Sequence, residues 1–86
     1  MKVISKKEFN GFSIPRMRSE EMMPWEEIEF YKNDDFIAAI TKDKIDHDFG
    51  FVVFKNKNGK LEFFDNVTSI KTKNDAIEKL QNILSS

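Results

Sequence analysis

The chain has 86 residues, 40% of them hydrophobic and 13% aromatic, with one His, no Cys and a formal net charge of −1. That length suits one domain. The apolar content excludes a disordered chain, and the absence of Cys with a single His excludes a disulfide framework, a thiolate zinc site and any multi-histidine metal site. A chain this short buries only about 60–65% of its unfolded surface, so its core must rest on large side chains, chiefly the nine Phe.

The first residues, Met1 to Glu8, are basic but lack an apolar stretch behind them, and the longest apolar run is Phe36 to Ile40. Neither a signal peptide nor a membrane span is expected, and the reading is a cytoplasmic protein. Residues 1–23 read as a basic and apolar N-terminal arm carrying Phe9, Phe12, Ile14, Met17, Met22 and Met23. Pro15 and Pro24 argue against a long helix there. Residues 24–86 read as a single domain.

That domain begins with an alternating segment, Glu27 to Tyr31, which predicts an edge strand with Ile28 and Phe30 inward and Glu27, Glu29 and Tyr31 outward. Asn33-Asp34-Asp35 is a turn. A second strand follows from Phe36 to Thr41, with Phe36, Ala38 and Ile40 on one face and Ile37 and Ala39 on the other. The polar stretch Lys42 to Asp48 leads into the strongest local signal, Asn58-Gly59 between Phe51-Val52-Val53-Phe54 and Leu61-Glu62-Phe63-Phe64. Asn-Gly accepts the positive φ of a type I′ turn. A two-residue loop there pairs Lys55 with Glu62, Phe54 with Phe63 and Val53 with Phe64. Both faces of this hairpin are apolar, so it is expected to be central and covered on both sides.

A helix is predicted from about Asn74 to Leu84, where Ala76, Ile77, Leu80, Ile83 and Leu84 recur at three- and four-residue spacing. The fold class is therefore α+β, a four-stranded antiparallel β-meander with the C-terminal helix packed on one face. The second face is covered either by the arm folding back or by another chain.

Charge is unevenly distributed along the chain. Residues 1–18 carry +4, residues 19–50 carry −7 and residues 51–86 carry +2. The acidic middle reads either as a solvated surface or as a face that steers a basic partner. In the second reading Glu26, Glu27, Glu29, Asp34, Asp35, Asp46 and Asp48 form the charged face, with Trp25 and Tyr31 as aromatic anchors.

Catalytic chemistry lacks support. Asp43-Lys44-Ile45-Asp46-His47-Asp48 gathers three carboxylates and the imidazole, but its spacing breaks the calcium-loop pattern, and turn hydrogen bonding explains the aspartates. Glu27/Glu29 and Asp34/Asp35 lack the apolar setting that drives paired carboxylates apart in pKa. The serines have no nucleophile-elbow context, and Gly11, Gly50 and Gly59 are isolated. No enzyme activity, metal or cofactor is expected.

From Pro24-Trp25-Glu26, through Asp43, Asp46 and Asp48 before Phe49-Gly50-Phe51-Val52-Val53-Phe54, to Gly59-Lys60, Phe63, Asp65 and a helix from about Ala76, the order of residues resembles a family of small uncharacterised prokaryotic proteins. Members are often encoded on plasmids, prophages and other mobile elements. The resemblance spans roughly residues 24 to 84, and it departs from the usual Arg after the aromatic strand, where this chain has Lys55. It implies a fold and a genomic setting, with no catalytic residues.

Together these features define a non-enzymatic protein-binding module whose partner has a basic surface. The mobile-element setting extends this to an acidic inhibitor of a host nucleic-acid-binding defence enzyme, of the anti-CRISPR or anti-restriction type. A self-associating structural or regulatory domain, a homodimer, is the second reading. Nucleic-acid binding through Lys6, Lys7, Arg16 and Arg18 is a third, opposed by the acidic middle.

Overall fold

The computed structural model describes residues 1–12 and 24–85. Five strands, β1 (Lys2–Ile4), β2 (Trp25–Lys32), β3 (Phe36–Asp43), β4 (Phe49–Lys57) and β5 (Lys60–Ile70), form one antiparallel sheet in chain order. A short helix, α1 (Lys6–Asn10), follows β1, and α2 (Lys73–Ser85) closes the chain. Among the described residues, no helix is long and apolar enough to cross a membrane.

Among the described residues the expected four strands are thus five. Lys2–Ile4 pairs with Phe30–Lys32 on the outer side of β2, a pairing invisible in sequence because three residues carry no periodicity. The α+β class, antiparallel order and C-terminal helix stand as expected.

Core packing is divided between the two faces of the sheet. On one, α2 lays Ala76, Leu80 and Leu84 over Tyr31, Ala38, Ile40, Phe51, Val53 and Ile70. The helix starts where Thr72 Oγ1 accepts the Asp75 N–H at 3.1 Å, satisfying a donor that the first turn would otherwise leave unpaired. On the other face, Ile4 and Phe9 cover Phe30, Ile37, Ala39, Val52, Phe54 and Leu61, with Phe12 packed alongside. Phe9 is fully buried, its ring centroid 4.7 Å from that of Phe30. Ser5 caps α1 by accepting the Glu8 N–H at 3.0 Å, and the Glu8 carboxylate meets the Lys32 ammonium at 3.0 Å. The start of the chain therefore closes much of the second face. The expectations for Ile14, Met17, Met22 and Met23 lie outside the described residues.

The β3 alternation is as predicted, with Ala38 and Ile40 under α2 and Ile37 and Ala39 beneath Phe9. Asn58 (φ 57°) and Gly59 (φ 86°) form the hairpin loop, setting Lys55 against Glu62 and Phe54 against Phe63. Beyond that point the register shifts, and Val53 lies opposite Asp65 instead of Phe64. Phe64 is the extra residue of a β-bulge.

Two further expectations are corrected. The β4/β5 pair is not central on both sides, because β5 is the edge strand among the described residues and Phe63 and Phe64 remain 55% and 49% exposed. Tyr31, expected outward, is buried beneath α2. A bulge between Glu27 and Glu29 breaks the β2 alternation, so Ile28 packs with the α2 cluster while Phe30 faces α1.

Candidate functional site

Most of the loop joining β3 to β4 is organised by one carboxylate. Asp43 Oδ1 accepts the backbone N–H groups of Ile45 at 2.8 Å and Asp46 at 2.7 Å, an Asx-type turn in which the side chain replaces backbone partners. These two bonds, Asp46 first, hold the Asp43 carboxyl below its ordinary pKa because they stabilise its charged form. The Asp43 N–H donates to the Asp48 carbonyl at 2.7 Å, and the Lys44 N–H donates to the Pro24 carbonyl at 2.8 Å, stitching the loop to the start of β2. His47, at φ 62°, makes the tight bend.

These contacts place Asp43, Asp46 and Asp48 around a groove of about 160 Å³ that Trp25 and Phe49 also line, the Phe49 side chain packing with the α2-side cluster. Gly50 stands at its inner side beside Thr68 and Ser69. A Cβ on Gly50 would lie 2.2 Å from the Val67 carbonyl oxygen. Only a residue without a side chain lets β5 approach there. The register reflects this crowding: Phe49 pairs with Ile70 and Phe51 with Val67, leaving Thr68 and Ser69 opposite Gly50 with Ser69 at φ 62°. The Lys42 ammonium lies 5.8 Å from the centroid of the Phe49 ring, a cation–π distance.

Of the residues read as partner-binding, Trp25, Asp46 and Asp48 are brought together here. Glu26 is exposed at the same end of the sheet, opposite Lys42. Asp34 and Asp35 lie in the β2–β3 turn at the far end, separated from the groove by the eight residues of β3, about 25 Å of strand. Glu27 is buried. Glu29 and Tyr31 form a separate arrangement under α2: the Tyr31 hydroxyl donates to Glu29 Oε2 at 2.7 Å, and Lys73 Nζ lies 2.6 Å from Glu29 Oε1. Lys73 first, then Tyr31, holds the Glu29 carboxyl below its ordinary pKa. Burial, then the Glu29 carboxylate, pushes Tyr31 up to about 12. Lys6 and Lys7 lie on α1, while Arg16 and Arg18 fall outside the described residues.

The acidic middle is therefore not one face. Sequence reasoning missed Asp43, Phe49, Gly50, Thr68 and Ser69 as parts of one groove. A Gly inside a strand was the available signal, since it marks a close backbone approach. Among the described residues, no group of three or more His, Cys, Asp or Glu side chains is arranged to hold a metal ion.

Fold and groove together define a small α+β domain, an antiparallel five-stranded meander with a helix on one face and an acidic groove lined in part by Trp25 at one end. In comparisons with protein-family models, curated proteins and solved structures, the chain matches none.

Proposed function

We propose that this chain is a non-enzymatic protein-binding module whose groove takes a Lys or Arg side chain from a basic segment of its partner. The observation that carries this reading is the joining of Asp46 and Asp48 to Trp25 around one groove. A cation entering it meets carboxylates for charge-assisted hydrogen bonds, worth about 1.5–3 kcal/mol each. Trp25 adds about 0.5–2 kcal/mol of cation–π attraction. Asp43 is committed to the loop, so it holds Asp46 and Asp48 in place while they face the partner.

The resemblance to mobile-element proteins supports a particular partner class, a host defence enzyme that binds nucleic acid through a basic groove. Such a groove presents the cations that Asp46 and Asp48 accept, and its occupation by protein would block the phosphate backbone.

Trp25 is the single Trp of the chain, so its fluorescence reports occupancy directly. Titration with an Arg-rich peptide is expected to change Trp25 emission, and an acidic peptide of equal length is not. Asp46→Lys with Asp48→Lys is expected to weaken the basic peptide at least about tenfold. Equal binding by this variant and the parent protein would sink the proposal.

A further inference from the structure

Asn-Gly occurs twice in the chain, at Asn10-Gly11 and at Asn58-Gly59. The dipeptide is chemically labile because glycine has no side chain to shield its backbone nitrogen, which can attack the amide carbon of the preceding asparagine. Both sites carry this chemistry, and the fold treats them differently.

Asn10 ends α1 and Gly11 is its C-cap. The Gly11 N–H donates to the carbonyls of Lys7 and Glu8, both at 3.1 Å. A Cβ on Gly11 would lie 3.2 Å from the Glu8 oxygen and 3.6 Å from that of Lys7, so this stretch is packed against helix backbone. Asn10 also follows directly on Phe9, which is fully buried. Freeing the Gly11 nitrogen therefore undoes the end of a helix anchored in the core.

Around Asn58 the setting is the reverse. Lys57, Asn58, Gly59 and Lys60 are all exposed, and a Cβ on Gly59 would meet nothing within 4 Å beyond its chain neighbours. One side chain restrains the nitrogen, since the Gly59 N–H donates to Asn56 Oδ1 at 2.9 Å. Lys57 and Lys60 are the pair that closes the loop, and opening it leaves the buried Leu61 in place. Segments with so few buried contacts open at low cost.

We propose that Asn58 is a modification site, where the side-chain amide is lost to give aspartate and isoaspartate. When the loop opens, the Gly59 nitrogen gives up its proton and bonds to Asn58 Cγ. The Cγ–Nδ2 bond breaks, and Nδ2 leaves as ammonia with that proton, closing an imide ring. Water then opens the ring. Cleavage of the new N–Cγ bond leaves aspartate, whereas cleavage of the original main-chain bond leaves isoaspartate, with the side-chain carbon carried into the backbone. Either product adds a negative charge between Lys57 and Lys60. Asp-Gly suits the same type I′ turn, but isoaspartate lengthens a loop whose register allows only Asn58 and Gly59 between the closing pair.

Incubation of the full chain at mildly alkaline pH, followed by digestion and peptide mass spectrometry, tests this, with the same chain in urea as the reference for each site. Folding is expected to slow Asn10 at least about fivefold more than it slows Asn58. Asn56→Ala removes the acceptor and is expected to quicken Asn58 about fivefold in the folded chain, with no change in urea. Asn56→Asp keeps an acceptor, and its rate should not exceed that of the parent protein. The isoaspartate form, separated by chromatography, is expected to melt below Asn58→Asp. Equal protection of the two asparagines overturns the proposal. So does faster conversion at Asn10 in the folded chain, or an Asn56→Ala variant that converts at the parent rate. None of these outcomes depends on peptide binding, so the groove and this loop stand or fall separately.

Discussion

Asn33 Nδ2 donates to the carbonyl oxygen of Leu84 at 3.2 Å, joining residues 51 apart in the chain. The same side chain accepts, through Oδ1, the N–H groups of Asp35 at 3.0 Å and Phe36 at 2.8 Å. One amide thus shapes the β2–β3 turn and satisfies a carbonyl in the last turn of α2, where no intrahelical donor remains. Asn33→Asp keeps the acceptor but loses the donor and places a negative charge against the negative end of the helix. A loss of about 1–2 kcal/mol is expected in urea unfolding, with Asn33→Ala at least as large. Equal stability of Asn33→Asp and the parent protein would show that the helix end is held by packing alone.

Acid and alkali should each weaken the protein through the Glu29–Tyr31–Lys73 arrangement. Glu29 has a folded pKa below its ordinary 4.5. Its stabilisation is therefore present above that value and lost as pH falls through the folded pKa. Tyr31 has the opposite sense, raised from 10.0 to about 12. Its contribution is complete below 10.0 and is lost as pH rises toward the folded value, because the unfolded tyrosine ionises first. Tyr31→Phe is expected to reduce stability at neutral pH by about 1–2 kcal/mol and to flatten the alkaline decline. Glu29→Gln should flatten the acid decline. Urea midpoints across both ranges provide the check, and parallel pH curves for parent and variants would contradict the assignment.

Two glycines are required for different reasons, and alanine separates them. At Gly50 a methyl group collides with the Val67 backbone oxygen at 2.2 Å, and backbone cannot swing aside as a flexible side chain can. Gly50→Ala is expected to cost about 3 kcal/mol and to alter the groove. At Gly59 there is open space but φ is +86°, so alanine pays only conformational strain, about 1 kcal/mol. Thermal unfolding of both variants should rank them in that order.

Phe9 tests the contribution of the start of the chain. Its ring is fully buried against Phe30 and Phe54. Phe9→Ala is expected to cost about 3–5 kcal/mol, a large part of the roughly 4–13 kcal/mol available to a domain of this size. Phe9→Leu retains most of the volume and should cost about 1 kcal/mol. Calorimetry of the two variants distinguishes a core residue from a peripheral one, for which both changes would be small.

Sequence alone determined the elements whose signals are local. Asn58-Gly59 specified its turn through the positive φ that those residues tolerate. The alternation of Phe36 to Ile40 assigned the two faces of β3, and the spacing of Ala76, Leu80 and Leu84 assigned the buried side of α2. Each rests on a period that the chain carries within a few residues. Tertiary structure decided what lies between those periods. The bulges near Ile28 and Phe64 and the irregular pairing around Thr68 and Ser69 shift alternation by a residue or more. They turn Tyr31 inward, bring Asp65 to the face of Lys60 and open the groove. Pairing of Lys2–Ile4 with β2 was equally decided at long range, because a three-residue strand has no period of its own. The acidic middle, contiguous in the chain, was divided between the two ends of the sheet by the length of β3, leaving Asp46 and Asp48 with Trp25 and sending Asp34 and Asp35 to the far turn.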